Sequence, residues 1–125
     1  MSFEIENGVL RKYKEEPDVT EVVIPNDITE IAERAFMYCE NIKAVIINGN
    51  VKTIGLMAFY RCYKLETITI AEGVEKIKNE AFGDCFPMKS IIIPASVKEI
   101  GDNAFIGCES LESIEVAESQ GILLD

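Results

Sequence analysis

Histidine and tryptophan are absent from this 125-residue sequence, and 12 basic residues stand against 22 acidic ones. Without histidine the commonest general base and metal ligand is missing. There is also no GxSxG, no HExxH and no glycine-rich phosphate loop, and no base is available to activate a thiol, so no catalytic residue is assigned and an enzyme is not expected. The net charge of −10 argues against nucleic acid, whose phosphates select clustered lysine and arginine. After Lys98 no basic residue follows, whereas Glu99, Asp102, Glu109, Glu112, Glu115, Glu118 and Asp125 do. This end reads as a solvated acidic face, with attraction of a basic partner as the alternative.

Long apolar runs are missing too. No stretch approaches the ~20 residues of a membrane-spanning helix, and the opening MSFEIENGVLRKYKEEPDVT has no signal-peptide core, so no membrane insertion is expected. The default location is then the cytoplasm, with the cell surface open if the chain is a trimmed piece. Oxygen-rich metal loops are lacking: Glu15-Glu16 reads as solvated surface, Asn26-Asp27 as a turn, and calcium needs more ligands than either supplies. No cofactor is expected.

What the sequence does have is a repeat. AFMYCENI at Ala35, AFYRCYKL at Ala58, AFGDCFPM at Ala81 and AFIGCESL at Ala104 recur at an interval of 23 residues without gaps. The same interval carries Ile31, Ile54, Ile77 and Ile100, the phenylalanines 36, 59, 82 and 105, and the cysteines 39, 62, 85 and 108. In LETITI the apolar residues Leu65, Ile68 and Ile70 sit at strand spacing, whereas Ile77, Ala81, Phe82, Cys85 and Met88 recur at three and four residues, as on one face of a short helix. Each unit therefore reads as strand, turn, short helix. One unit cannot bury its own apolar faces, so neighbours must stack.

The LxxLxL-like strands LETITI and IKAVII, the AFxxCxxL half and the turns at Ile24-Pro25 and Ile93-Pro94 together resemble the BspA-type (Treponema-type) leucine-rich repeat family. The resemblance runs over residues 19–117. Asn48 and Ala71 depart from the turn proline, and Met88 and Ile42 from the closing leucine. It implies an α/β fold: a right-handed leucine-rich-repeat solenoid with a parallel sheet on the concave face, short helices on the convex face and an N-terminal β-hairpin cap. It also implies a non-catalytic protein-interaction module like those of bacterial surface and adhesion proteins, the alternative being a structural repeat spacer or intracellular scaffold with no specific ligand. The expected organisation is 1–18 for the cap hairpin and linker, 19–117 for four 23-residue repeats plus a fifth strand, and 118–125 for a C-terminal tail.

On such a stack the four cysteines form a line along the axis. On the expected helical side, neighbouring helices approaching to about 8–10 Å would hold the Cα atoms beyond disulfide reach, and a line of thiols does not converge on zinc, so the cysteines read as buried, reduced, small apolar fillers and no metal site is assigned. At the N-terminus, Phe3 to Tyr13 is expected to fall outside the repeat frame. There FEIE and VLRKY flank Asn7-Gly8, a pair suited to a type I′ turn, which would set Glu4 opposite Arg11 and Ile5 opposite Leu10. The family commonly opens with a similar FxIxNGVL segment, which agrees with a near-natural N-terminus. The other end leaves a parallel strand edge and the apolar Ile122, Leu123 and Leu124. A tail folded back as a cap, a fragment of a longer array, or self-association through the C-terminal edge strand would each account for it.

Two surfaces are candidates for a protein or peptide partner. On the concave face the outward positions form the columns Glu21, Ala44, Thr67, Ser90, Ser113, then Val23, Ile46, Thr69, Ile92, Glu115, then Pro25, Asn48, Ala71, Pro94, Ala117. Only Glu21 and Glu115 among them are charged, in a chain whose charged fraction is 27%. Five strands at about 4.8 Å make a sheet roughly 20–25 Å wide, enough for an extended peptide, with Val23, Ile46, Thr69, Ile92 and Glu115 as the binding column. The alternative is that small neutral residues simply suit a flat parallel sheet. On the convex face Leu56, Met57, Tyr60, Tyr63 and Phe86, extended by Met37, form a rival binding patch of types enriched in interface cores; there the alternative is that these side chains cover gaps between rungs.

Overall fold

The computed structural model describes residues 3–117, so the tail at 118–125, including Ile122, Leu123 and Leu124, lies outside the described residues. The chain winds into a solenoid of two kinds of strand. The longer strands are β3 (Glu21–Val23), β5 (Ala44–Ile47), β7 (Thr67–Ile70), β9 (Ser90–Ile93) and β11 (Ser113–Val116). Two-residue strands follow each turn: β4 (Glu30–Ile31), β6 (Thr53–Ile54), β8 (Lys76–Ile77) and β10 (Glu99–Ile100). The hairpin β1 (Phe3–Glu6) and β2 (Val9–Tyr13) precedes them. Glu21 pairs with Ala44 and Ala44 with Thr67, and Ser90 pairs with Ser113, so the 23-residue interval is the rung-to-rung register.

Alternation builds the core. Val22, Val45, Ile68 and Ile91 point inward from the long strands, as do Ile24, Ile47, Ile70 and Ile93, and all are buried. Phe36, Phe59, Phe82 and Phe105 stack rung over rung, with centroids 4.7, 5.3 and 5.7 Å apart. Tyr13 and Phe3 continue the column at 4.9 and 5.4 Å. Tyr13 lies 23 residues before Phe36, so the end of the hairpin is inside the repeat frame, contrary to the reading from sequence. Strand β2 runs parallel to β4 with Leu10 beside Ile31, and the hairpin acts as a rung preceding the first repeat.

The hairpin turns through Asn7 and Gly8, both at positive φ (51° and 79°), as the type I′ geometry requires. Ile5 faces Leu10 as expected, but a bulge between Glu4 and Ile5 sets Glu4 opposite Lys12 and not Arg11. The ion pairs shift accordingly, Arg11 to Glu6 and Lys14 to Glu4, each at 3.7 Å.

The short convex helices are not present: no helix occurs among the described residues, and the AFxxC segments are turns. The reason lies in where the backbone N–H groups point. An α-helix bonds its N–H groups internally; here Arg34, Phe36 and Tyr38 donate to Leu56, Ala58 and Tyr60 of the next rung, and Met57, Phe59 and Arg61 to Asn79, Ala81 and Gly83. Interleaved bonds within a rung, Ala35 to Ala32, Met37 to Arg34 and Cys39 to Phe36, close tight turns. Left-handed backbone recurs with them: Arg34, Met57 and Glu80 hold φ of 60°, 56° and 57°, and Tyr38, Arg61, Asp84 and Gly107 hold 64°, 60°, 55° and 74°. Two such residues on each of the first three rungs, and one on the fourth, break any helical run while keeping the three- and four-residue apolar spacing that suggested one.

The cysteines are unpaired, with Cys39, Cys62 and Cys85 buried and Cys108 half-buried. They also bond across rungs. The thiols of Cys62, Cys85 and Cys108 donate to the carbonyls of Phe36, Phe59 and Phe82 at 3.2, 3.3 and 3.0 Å. Glu15, expected as solvated surface, instead accepts backbone N–H bonds from Glu40 (2.7 Å), Asn41 and Ile42 (3.1 Å), fastening the linker to the first rung.

Candidate interaction surfaces

Strand alternation aims Val23, Ile46, Thr69, Ile92 and Glu115 away from the core, and all five are exposed, Val23 and Ile92 to 58%. Val23, Ile46 and Thr69 sit side by side in one parallel sheet, β3-β5-β7. Ile92 and Glu115 sit side by side in another, β9-β11. The long-strand face is thus two sheets and not the single five-stranded one expected. In the third outward column the side chains are largely withdrawn: Pro94 is buried, and Pro25, Asn48, Ala71 and Ala117 are half-buried.

The interruption between β7 and β9 has a local cause. Flanking main-chain bonds clasp other neighbouring long strands at both ends. At the leading end Glu66 and Thr67 donate to Lys43 O (2.8 and 3.1 Å), and Glu112 donates to Lys89 O (2.8 Å). At the trailing end Ala71 donates to Ile47 O (3.0 Å) and Ala117 to Ile93 O (2.8 Å). The equivalent trailing donor for Ile70 O would be residue 94, a proline with no N–H. At the leading end neither Lys89 nor Ser90 bonds to Glu66 O among the described residues. Behind the opening the same rungs remain joined, with Lys98 N–H on Glu75 O and Gly101 N–H on Ile77 O, both 2.8 Å. The strands part on one face only, leaving a cleft of about 310 Å³ between Thr67, Thr69 and Ile70 on one side and Ser90 and Ile92 on the other.

On the turn-built side the rival patch separates into two ring pairs. Tyr63, exposed, stacks on half-buried Phe86 at 5.6 Å. Tyr60 meets Tyr38 edge-on at 6.3 Å, and Arg61 lies 5.3 Å over the Tyr60 ring while bonding Asp84 at 3.1 Å. Tyr38 is exposed although its column, Tyr38, Arg61, Asp84 and Gly107, is otherwise polar. Tyr60 also has a packing role: a Cβ added at Gly83 would come within 2.7 Å of its ring, so the ring fills the space that glycine leaves. Leu56, Met57 and Met37 are half-buried.

Cys62, Cys85 and Cys108 offer no nucleophile at neutral pH. Its contact with Cys39 and its burial push the Cys62 thiol well up, and burial is the main cause of the rise at Cys85 and Cys108. All three are protonated at neutral pH, and a protonated thiol is a poor nucleophile. No group of three or more metal-ligating side chains occurs among the described residues, nor is any described helix long and apolar enough to cross a membrane.

With repeat and register in place, the sequence model of the BspA type leucine-rich repeat region matches residues 11–123 in six copies. The chain belongs to the BspA-type leucine-rich repeat family. Among solved structures, this BspA-type chain is similar to a leucine-rich repeat protein from Bacteroides capillosus (27% identity, TM-score 0.81), covering 94% of this chain and 100% of that one. It is similar to the pneumococcal vaccine antigen PcpA (26%, TM-score 0.84), covering 91% of this chain but 28% of the antigen. A leucine-rich cell surface protein from Faecalibacterium prausnitzii (29%, TM-score 0.61) aligns over 90% of this chain and 36% of its own. The chain thus spans about a quarter to a third of these last two. No curated protein matches the sequence.

Proposed function

We propose that this chain is a non-catalytic protein-interaction module that binds a protein or peptide partner on the long-strand face, along Val23, Ile46, Thr69, Ile92 and Glu115. The observation that carries the reading is the uncovered aliphatic row: Val23, Ile46 and Ile92 stay 58%, 38% and 58% exposed, while the inward side chains of the same rungs are shielded. Apolar area removed from water contributes about 25 cal/mol per Å², so three aliphatic anchors on a nearly uncharged face favour a partner with apolar side chains. The neighbour named a cell surface protein supports contact or adhesion at a bacterial surface as the setting.

The test is capture from host and bacterial lysates by the wild type and two folded variants, Ile46→Ser/Ile92→Ser and Tyr60→Ser/Tyr63→Ser. A partner lost only with the first supports the long-strand face. One lost only with the second moves the site to the turn side, where the exposed Tyr63 on Phe86 favours that reading. Capture of nothing that either variant loses leaves a spacer or scaffold.

Strand β11 favours a second contact, self-association through that edge. All four of its residues are exposed, including the core-column positions Ile114 (48%) and Val116 (64%). Light scattering on the full chain checks it: a mass that doubles with concentration and reverts with Ile114→Lys supports pairing, and a concentration-independent monomer mass rules it out.

A further inference from the structure

We propose that the parting between β7 and β9 is the docking slot within this face, and that its occupant is an extended, uncharged peptide segment carrying at least one aliphatic side chain. The proposal rests on the long-strand face being the binding surface, and narrows it to one place and one ligand chemistry.

The main-chain groups come first. Ile70 O faces a proline and receives no N–H from it, and Lys89 N–H and Ser90 N–H make no bond to Glu66 O, although the matching groups on neighbouring rungs are bonded. β7 and β9 keep Cα atoms within 8 Å of each other, less than the ~9.6 Å that a strand inserted between them needs, so an extended peptide lies over the slot, its N–H and C=O groups meeting these free groups at the two ends and an aliphatic side chain entering between them.

The walls narrow the choice. The cleft presents the hydroxyls of Thr67, Thr69 and Ser90 and the side chain of Ile92, with no charged side chain lining it. Its volume of about 310 Å³ is that of roughly ten waters, room for an aliphatic side chain and the peptide unit bearing it. A second hollow of about 480 Å³ continues the slot at its leading end and shares Ser90; there Pro87 stands with Glu66 and Lys89, charges of both signs, so neither sign of ligand charge is selected. Pro87 and Pro94 thus bracket β9, and Pro94 holds the slot open from its trailing end.

The test pans a phage-displayed library of random linear peptides on the full chain and measures enriched, synthesised peptides against variants. Pro94→Ala supplies the missing N–H opposite Ile70 O. Ser90→Tyr fills the slot and leaves the strand bonds alone. Val23→Ser alters the face two rungs away. Circular dichroism and thermal melts establish that each is folded. We expect affinity to fall at least tenfold with Pro94→Ala and with Ser90→Tyr, to fall by a clearly smaller factor with Val23→Ser, which removes an anchor of the wider face, and the enriched peptides to share an uncharged stretch with an aliphatic residue. Peptides that bind both slot variants as the wild type but lose affinity with Val23→Ser overturn the slot and leave the face reading standing. Peptides indifferent to all three variants, or no enrichment at all, overturn the slot, and the lysate capture experiment then decides the face separately.

Discussion

Cys62, Cys85 and Cys108 each touch the carbonyl of a phenylalanine one rung back, so a residue that looks like a filler also ties rungs together. The burial of these thiols makes the stability depend on pH. Each of the three thiols has a folded-state pKa above the ordinary value of about 9.0 that it regains on unfolding. An acid held neutral in the fold releases its proton more readily when unfolded. Its contribution is therefore full below about pH 9 and is lost as pH rises above it, by at most about 1.4 kcal/mol per pH unit and thiol, and by less for the partly exposed Cys108. Urea midpoints should be flat from pH 6 to 8 and fall steeply above 9, and replacing Cys85 by alanine should shallow that fall. At pH 8 a thiol reagent should reach Cys108 first and Cys62 and Cys85 only on unfolding. Rapid labelling of Cys62 in the folded chain would contradict this packing.

At the scale of the element, the turns answer to two left-handed positions on each of the first three rungs and one on the fourth. A side chain with a Cβ costs roughly 1–2 kcal/mol in that conformation, more when β-branched and least when it is glycine. At Arg34 (φ 60°), whose side chain is solvent-exposed and pairs with its neighbour Glu33, Arg34→Gly should be neutral or stabilising. Arg34→Val should lower stability by about 1–2 kcal/mol relative to Gly. Thermal melts compare the three, and equal stability of Gly and Val would mean the position is not left-handed. These turns also mark where the sequence was hard to read. Ile77, Ala81, Phe82, Cys85 and Met88 recur as a helix face would, but apolar spacing alone does not say whether an N–H bonds within its own rung or to the next. The strands were plain because Leu65, Ile68 and Ile70 alternate and recur in register. The parting of β7 from β9 was in reach, since Pro94 visibly lacks an N–H, yet it takes the register of Ala71 and Ala117 to see which carbonyl that leaves free. Tyr38 stayed hidden in a polar column.

At the scale of the molecule, each rung touches only its neighbours, so the core is a set of parallel columns, the rings, isoleucines, alanines and cysteines among them, and protection should depend on position along the axis. The N-terminal end is closed by the hairpin, with Phe3 and Tyr13 completing the column. At the far end of the described residues Ile100, Ile114 and Val116 are 43%, 48% and 64% exposed, although their counterparts on earlier rungs are buried. The face proposed for binding exists only because these rungs stack in register, so that stacking is the claim on which the rest stands. Native-state hydrogen exchange of the phenylalanine amides tests it most directly. The N–H groups of Phe36, Phe59 and Phe82 each donate to the following rung at 2.7, 2.7 and 2.9 Å, and they should exchange only through opening of the stack, far more slowly than the N–H of Phe105, which has no described rung beyond it. If instead the Phe59 and Phe82 amides exchange as fast as those of an unfolded chain, the rungs are not stacked as described and the account fails.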